Sequence, residues 1–294
     1  MSTLVGTTPA VAVRRVNRHR VGRLVADVFT YLGLAVTLVF FLGPFAWILT
    51  TSLKGNNDFF AFPPVWIPSD PSLAHYVGLF TRASGLRYFL NSLTISSMSM
   101  VAALLVSLPT AYAIARWRFG GSVFGTFLLV LRMLPAIALI IPVYLMYKTL
   151  GLTNSYLGLV ILYTVVYIPF AVWLLVGFLR DFPVEIEEAA LIDGCSRLRA
   201  LRYVVFPISL PGLLTVVIFT FALVVNEYVY AITFISTSTE RTISAGVPTE
   251  LIRGDVFFWG SLMAATLLPA IPLALLYNVF LDRFIAGFTG GAFR

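Results

Sequence analysis

The chain has 294 residues, of which 59% are hydrophobic and only 11% are charged. A soluble globular domain carries about 25% charged residues, so this composition excludes a soluble protein. The net charge of +7 is compatible with nucleic-acid binding, but the positions of the basic residues indicate a membrane topology and no nucleic-acid partner.

Six apolar runs along the chain are long enough to cross a bilayer, which takes about 20 mostly apolar residues in a helix. They cover residues 27–51, 87–115, 122–147, 155–179, 208–235 and 257–281. We therefore predict an all-α integral membrane protein with six transmembrane helices. A basic segment, 1–26, precedes the single transmembrane domain, 27–281, and a tail, 282–294, follows it. Prolines inside several runs favour kinked helices.

The basic residues favour one side of the predicted membrane. Thirteen of the twenty fall in segments that share a side: Arg14, Arg15, Arg18, Arg20, Arg23, Arg116, Arg118, Arg180, Arg197, Arg199, Arg202, Arg283 and Arg294. Because cytoplasmic loops carry the excess of Lys and Arg, both termini are predicted to be cytoplasmic. Contact with anionic membrane lipid is a second role for these charges.

Cysteine and histidine are too few for most site chemistry. Cys195 is the only cysteine, and His19 and His75 lie on opposite predicted sides. An intrachain disulfide is excluded, and we expect no metal site and no catalytic residues.

The segment between the fourth and fifth runs, about 181–207, reads DFPVEIEEAALIDGCSRLRALRYVVFP. Pro183 and the acidic residues after it favour a helix start. Gly194 can end this helix in a left-handed conformation, and Ser196 can cap the next one. We predict a short helical pair on the cytoplasmic membrane face that docks a soluble partner. The alternative is a loop that rests on lipid headgroups, but anionic lipid would repel its acidic first helix.

This segment resembles the EAA loop of importer-type ABC permeases. Glu188, Ala189 and Ala190 are followed at the motif's spacing by Gly194 and Pro207. Val204 and Phe206 replace the motif's Ile and Leu and remain apolar. Further similarity to MalG-like permeases of carbohydrate importers lies in Asn91-Ser92, Met133-Leu134-Pro135, Asn226-Glu227 and the tail 285–292.

The resemblance implies a prokaryotic inner-membrane transport subunit, not an enzyme. Glu188, Ala189, Ala190, Gly194 and Pro207 would form the coupling contact with a dimer of ATP-binding subunits. A second permease, in a heterodimer, and an extracytoplasmic solute-binding protein would complete an importer that moves carbohydrate by alternating access. ATP and Mg would be bound by the ATPase, and this chain would hold no cofactor; it contains no G-x-x-x-x-G-K-[ST] phosphate loop.

Ionisable residues inside predicted spans are costly and mark functional positions. Asn226 and Glu227 in the fifth run, Arg132 in the third and Tyr230 are candidates for the substrate path. Glu227 and Arg132 can also form a structural ion pair, or these polar groups can contact the second permease, and all three interpretations remain open. Asn91 and Ser92 are interpreted as helix-packing or capping groups.

Two other classes of function compete with the importer subunit. A self-sufficient secondary transporter predicts internal repeats and relays of ionisable groups, and neither is visible. A membrane enzyme needs clustered catalytic side chains near an interface, and none is visible either. Co-purification with a nucleotide-binding subunit discriminates the importer from both alternatives.

Overall fold

The computed structural model describes residues 18–290 except 56, 82–83, 118–119 and 182; side chains are described for the same residues except 18–25, 122, 129, 136 and 282–290. Most of the predicted segment 1–26 and the end of the tail, 291–294, lie outside the described residues. Four of the thirteen basic residues that predict the topology lie outside the described residues: Arg14, Arg15, Arg118 and Arg294.

The described chain is mostly helical. The helices are α1 (Arg18–Ser52), α2 (Ala74–Thr81), α3 (Gly85–Trp117), α4 (Gly121–Met133), α5 (Ala136–Thr149), α6 (Tyr156–Asp181), α7 (Val184–Ile192), α8 (Arg197–Ala200), α9 (Phe206–Ile208), α10 (Leu210–Val225), α11 (Val229–Phe234), α12 (Ile243–Leu251), α13 (Trp259–Leu267) and α14 (Ala270–Gly290). A π-helical turn, Leu201–Val205, joins α8 to α9, and a 3₁₀ turn, Ser238–Glu240, precedes α12. A two-residue antiparallel pair, β1 (Ile252–Arg253) and β2 (Val256–Phe257), links α12 to α13.

The chain consists of two compact units, one that ends at Ile48 and one that begins at Leu49. The first unit is helical from Arg18 to its end. The second unit contains all the remaining elements and the packed core.

Four helical segments of the described chain are long and apolar enough to cross a membrane: Ala26–Ser52, Gly85–Trp117, Tyr156–Asp181 and Trp259–Leu281. Two bent pairs pass the same test, Val123–Met133 with Ile137–Thr149 and Arg197–Ile208 with Leu210–Val225. The bends are 91° and 74°. The described residues thus supply four spans, or up to six if each bent pair is one span, and the predicted class of helical membrane protein is confirmed.

The third and fifth predicted spans are helical but interrupted, which goes beyond the kinks that prolines in the sequence favour. Leu134 leaves the helical region with φ −64° and ψ 124°, because the residue before a proline is disfavoured in the α conformation. In the fifth span α10 ends at Val225 and α11 begins only at Val229.

The core of the second unit is built on α3 and α6. One face of α3 carries small buried residues at helical spacing: Ser92, Ser96, Ser99, Ala103, Ser107 and Ala111. Small side chains let helix backbones approach closely in a membrane protein. Tyr163 and Leu175 of α6 are fully buried in two different apolar clusters, one of which includes α11.

The first turns of α3 hold the segment that leads into α12. The Asn91 side-chain amide donates to the carbonyl oxygens of Thr239 (3.0 Å) and Arg241 (2.9 Å). The Ser92 hydroxyl accepts from the backbone N–H of Ile243 at 2.7 Å, at the start of α12. The interpretation of Asn91 and Ser92 as packing and capping groups is confirmed.

Candidate coupling loop and translocation path

The predicted helical pair is present in the 181–207 loop. α7 begins at Val184, one residue later than a start at Pro183. Gly194 has a φ of 87°, and the N–H groups of Gly194 and Cys195 bond back to the carbonyls of Leu191 and Ala190. This is a Schellman ending, which needs a left-handed residue where Gly194 lies. Ser196 accepts from the N–H of Arg199 at 3.4 Å, as a cap for α8.

The EAA residues divide between two faces of α7. Glu188 and Ala189 are exposed, whereas Ala190 is buried against its own chain. Gly194 and Pro207 are exposed as well. The structure therefore leaves four of the five predicted coupling residues available to a partner and places Ala190 in internal packing.

The tip of the loop has exposed apolar side chains. Ile192 is 86% exposed and Leu198 is 74% exposed. They flank Gly194, where an added Cβ would meet no atom within 4 Å. An open, partly apolar surface around a fixed turn is suited to receive a protein partner.

Glu187, next to the EAA motif, is turned inward and is only 5% exposed. The Arg116 Nε donates to Glu187 Oε2 at 2.8 Å, and the Tyr112 hydroxyl donates to Glu187 Oε1. Both donors lie on the last turns of α3. This contact fixes α7 to the end of a span.

The rest of the loop is also fastened to the helical core. Val205 is fully buried in the apolar cluster that contains Leu175 and Leu213. The Arg197 guanidinium lies over the Trp117 ring at 5.6 Å. A loop that only rested on lipid would not need these internal contacts. They therefore favour a loop that is held rigidly against the helical core.

The break in the fifth span is organised by Glu227. Its carboxylate accepts from the backbone N–H groups of Tyr230 (3.0 and 3.1 Å) and Ala231 (3.1 Å) and from the Tyr163 hydroxyl (2.8 Å). The acid caps the exposed N–H groups at the start of α11, and an anion is favoured at a helix N-terminus. The Ser244 hydroxyl donates to the Glu227 carbonyl at 2.6 Å.

Arg132 lies in the last turn of α4, just before the other break. Its guanidinium carbon is 5.1 Å from the centre of the Tyr167 ring and 5.9 Å from that of Phe170. Although Arg132 and Glu227 are both described, they form no ion pair. Arg132 is exposed and its charge is held over aromatic faces.

The other two path candidates differ in exposure. Asn226 is exposed, and its side-chain amide donates to the Ala222 carbonyl at 2.8 Å. Tyr230 is 4% exposed and packs against Phe234. The structure thus leaves Arg132 and Asn226 open beside the broken spans and encloses the Tyr230 ring.

Sequence reasoning did not single out Glu187, Tyr112 or Arg116. Arg116 was used only as a topology signal, and Glu187 was grouped with the other acids of the first turns. One signal was available. Glu187 and Ala190 are three residues apart and so share a face of α7, whereas the motif alone draws attention to Glu188.

Interrupted spans and a helical loop fixed to the end of α3 are features of a multi-pass membrane protein. Residues 103–289 match the family described as "Binding-protein-dependent transport system inner membrane component". The chain belongs to this family, whose members are the permease components of importers that work with an ATPase and a solute-binding protein. It is a transport subunit of the inner membrane, not an enzyme.

Similar proteins cover nearly the whole chain. The sulfoquinovosyl glycerol transport system permease of Agrobacterium fabrum is 32% identical over 90% of this chain and 93% of its own length. The trehalose/maltose transport system permease of Thermococcus litoralis is 29% identical over 90% of this chain and 95% of its own length. These relatives confirm the resemblance to carbohydrate-importer permeases.

A solved structure has the same fold. It is the crystal structure of a bacterial ABC transporter involved in the import of the acidic polysaccharide alginate, with a TM-score of 0.73 and 20% identity. The match covers 94% of this chain and all of that chain. At 20% identity, this similarity supports a shared fold and nothing more.

Proposed function

We propose that this permease forms half of a heterodimeric translocation path for a carbohydrate or a related polyhydroxylated solute. The similar permeases named for sulfoquinovosyl glycerol and for trehalose and maltose support the solute class. Further relatives are named for diacetylchitobiose and galactooligosaccharides.

The single observation that carries the proposed coupling role is the loop tip formed by Glu188, Ala189, Ile192, Gly194 and Leu198. It is exposed, while the helices that carry it are fastened to the core by Glu187 and Val205. Because the loop is fastened to the core, a partner that displaces the tip would also displace the spans and not only bend the loop. We assign the tip to the ATPase subunits, which bind ATP and Mg in our proposal.

The proposed path lies beside the two broken spans. Asn226 and Arg132 are exposed there and offer polar contacts for a hydroxyl-rich solute, while Glu227 holds the break open as a cap. Non-helical backbone at membrane depth is tolerated where it lines a cavity or is buried in protein. Alternating access would follow from movement of these segments against the second permease.

The test is purification of the chain from membranes together with the products of its neighbouring genes, followed by uptake assays in proteoliposomes. We expect a co-purifying ATP-binding subunit and sugar uptake that requires ATP and the solute-binding protein. Uptake by the isolated chain driven by an ion gradient would contradict the proposal and support a secondary transporter.

The docking assignment is tested by Gly194→Asp, which we expect to release the ATPase subunit or to uncouple hydrolysis from uptake. Gly254→Asp is the matched control, since Gly254 also has a positive φ, 60°, with open space around it, but lies in the β1–β2 turn. The control should retain the ATPase. Equal retention of the ATPase by both variants, with equally coupled uptake, would remove the tip as the docking surface.

The orientation is tested with Cys195, the only cysteine of the chain. In our proposal both termini and this loop are cytoplasmic. Cys195 should resist impermeant thiol reagents added outside intact cells and react after the membrane is opened. Labelling from outside would invert the topology.

A further inference from the structure

The two adjacent acids of α7 point to opposite sides. Glu188 is exposed to a partner, whereas Glu187 is enclosed by its own chain. We infer that Glu187, Arg116 and Tyr112 form an internal latch through which movement of α7 is transmitted to α3. This inference rests on the proposed coupling role of the loop.

The latch holds both oxygens of one carboxylate from one helix. Arg116 Nε donates to Oε2 at 2.8 Å and the Tyr112 hydroxyl donates to Oε1. Tyr112 and Arg116 are four residues apart and therefore share a face of α3. A two-point attachment resists rotation of α7 as well as its translation, which a single contact would not do.

The Arg116–Glu187 pair of the latch is largely shielded from solvent. The Arg116 and Glu187 side chains are 8% and 7% exposed. A buried charge pair is sensitive to the loss of either partner, because the remaining charge is left without compensation. Because Glu187 is buried within its own chain, its effect on coupling acts through its contacts with this chain and not through direct contact with the ATPase.

α3 extends from the latch to the opposite end of the bundle. Ser92, which accepts from the first N–H of α12, precedes Tyr112 by twenty residues in the same helix. At 1.5 Å per residue this is about 30 Å. A helix held at both ends by polar contacts can carry a displacement from the loop to the α12 end.

The first experiment measures the latch in the complete transporter without altering the latch or the loop tip. Spin labels are placed at Val184→Cys and Leu105→Cys in a Cys195→Ser background, since Val184 of α7 and Leu105 of α3 are both exposed and Val184 lies outside the tip. We expect the distance between the labels to be the same in the nucleotide-free and ATP-bound complexes. A shift with ATP would show that α7 and α3 move independently and would overturn the latch.

The second experiment weakens the latch with Glu187→Gln, which keeps the shape of the side chain and removes its charge. We expect the ATPase to remain bound while uptake per ATP falls by roughly 5- to 150-fold, the usual range of coupling between sites. The distance between the labels should also become dependent on ATP. Glu185→Gln is the matched control, because Glu185 is an exposed acid on the same helix.

The outcomes separate the latch from the proposed function. Normal uptake and coupling by Glu187→Gln, beside a working wild type, would remove the latch alone. A wild-type complex without an ATPase or without ATP-driven uptake would instead remove the proposed function. If Glu187→Gln fails to assemble, the label distance in the otherwise unaltered complex decides the question.

Discussion

Glu187 and Glu227 are both acids that accept a hydrogen bond from a buried tyrosine, but different groups stabilise the remaining charge of each carboxylate. Glu187 is paired with Arg116, a cation 71 residues away on another helix. Glu227 forms no salt bridge with any of the residues that the structure describes, and it is held by two N–H groups of the helix that follows it. The first acid joins distant elements, and the second shapes a local break.

This difference determines how much stability a single substitution near each acid can cost. Removal of Arg116 would leave a buried carboxylate without its counter-charge, which is among the most costly changes a core can receive. Glu227 has no equivalent partner to remove, because its donors are mainly backbone groups. The loop site should therefore be more sensitive to single substitutions than the broken span.

The largest effect is expected from Arg116→Ala, which should destabilise the loop and the end of α3 by about 3–5 kcal/mol. The measurement is thermal unfolding of the purified complex. Arg199→Ala, at an exposed position of the same loop, should change stability by no more than about 0.5 kcal/mol.

A second variant sharpens this result. Arg116→Met combined with Glu187→Leu should recover most of the lost stability, since apolar side chains of similar volume often replace a buried ion pair without loss. Wild-type stability in Arg116→Ala would contradict the burial and the pairing seen here.

An intermediate effect is expected from Glu227→Leu, about 1–3 kcal/mol, because the Tyr163 hydroxyl and the N–H groups of Tyr230 and Ala231 lose their acceptor. Glu227→Gln keeps one acceptor oxygen and should cost less. Unfolding and transport rate are measured on the same preparations.

The same series tests the relation between Glu227 and Arg132. Since the two residues form no ion pair, Glu227→Leu with Arg132→Leu should not regain stability over Glu227→Leu alone. Full recovery of stability in the double variant would mean that the two charges compensate each other. It would then support the ion-pair interpretation.

The sequence allowed the membrane class, the apolar segments and the helical pair of the loop to be predicted, because each depends on local composition or on local backbone geometry. Gly194 and Ser196 are examples, since a left-handed ending and a cap are short-range features. The resemblance to the family motif added the prediction that Glu188 docks the ATPase, which no local rule could supply.

The interruption of the fifth span and the latch were not predicted, because both depend on contacts between distant residues. Asn226 and Glu227 lie in an apolar run that favours an unbroken helix. Only the meeting of Glu227 with Tyr163 of α6 and the start of α11 shows why the helix ends there. Likewise, nothing near Arg116 in the sequence indicates Glu187.

The smallest effect is expected from Gly194→Ala, which should cost about 1 kcal/mol because an L residue is strained at a φ of 87°. No clash adds to this strain, since the space around Gly194 is open. Gly177→Ala is a control of opposite sign. Gly177 lies inside α6 with the same open space, and alanine there should stabilise the helix by roughly 0.5–1 kcal/mol.

Gly194→Asn separates strain from docking, because asparagine tolerates the left-handed conformation better than alanine. Its unfolding temperature should lie nearer to the wild type than that of Gly194→Ala. If Gly194→Asn nevertheless releases the ATPase, the space above Gly194 is needed by the partner and not only by the turn. If Gly194→Ala is as stable as the wild type, the left-handed ending is not a constraint, and the loop is less rigid than its contacts indicate.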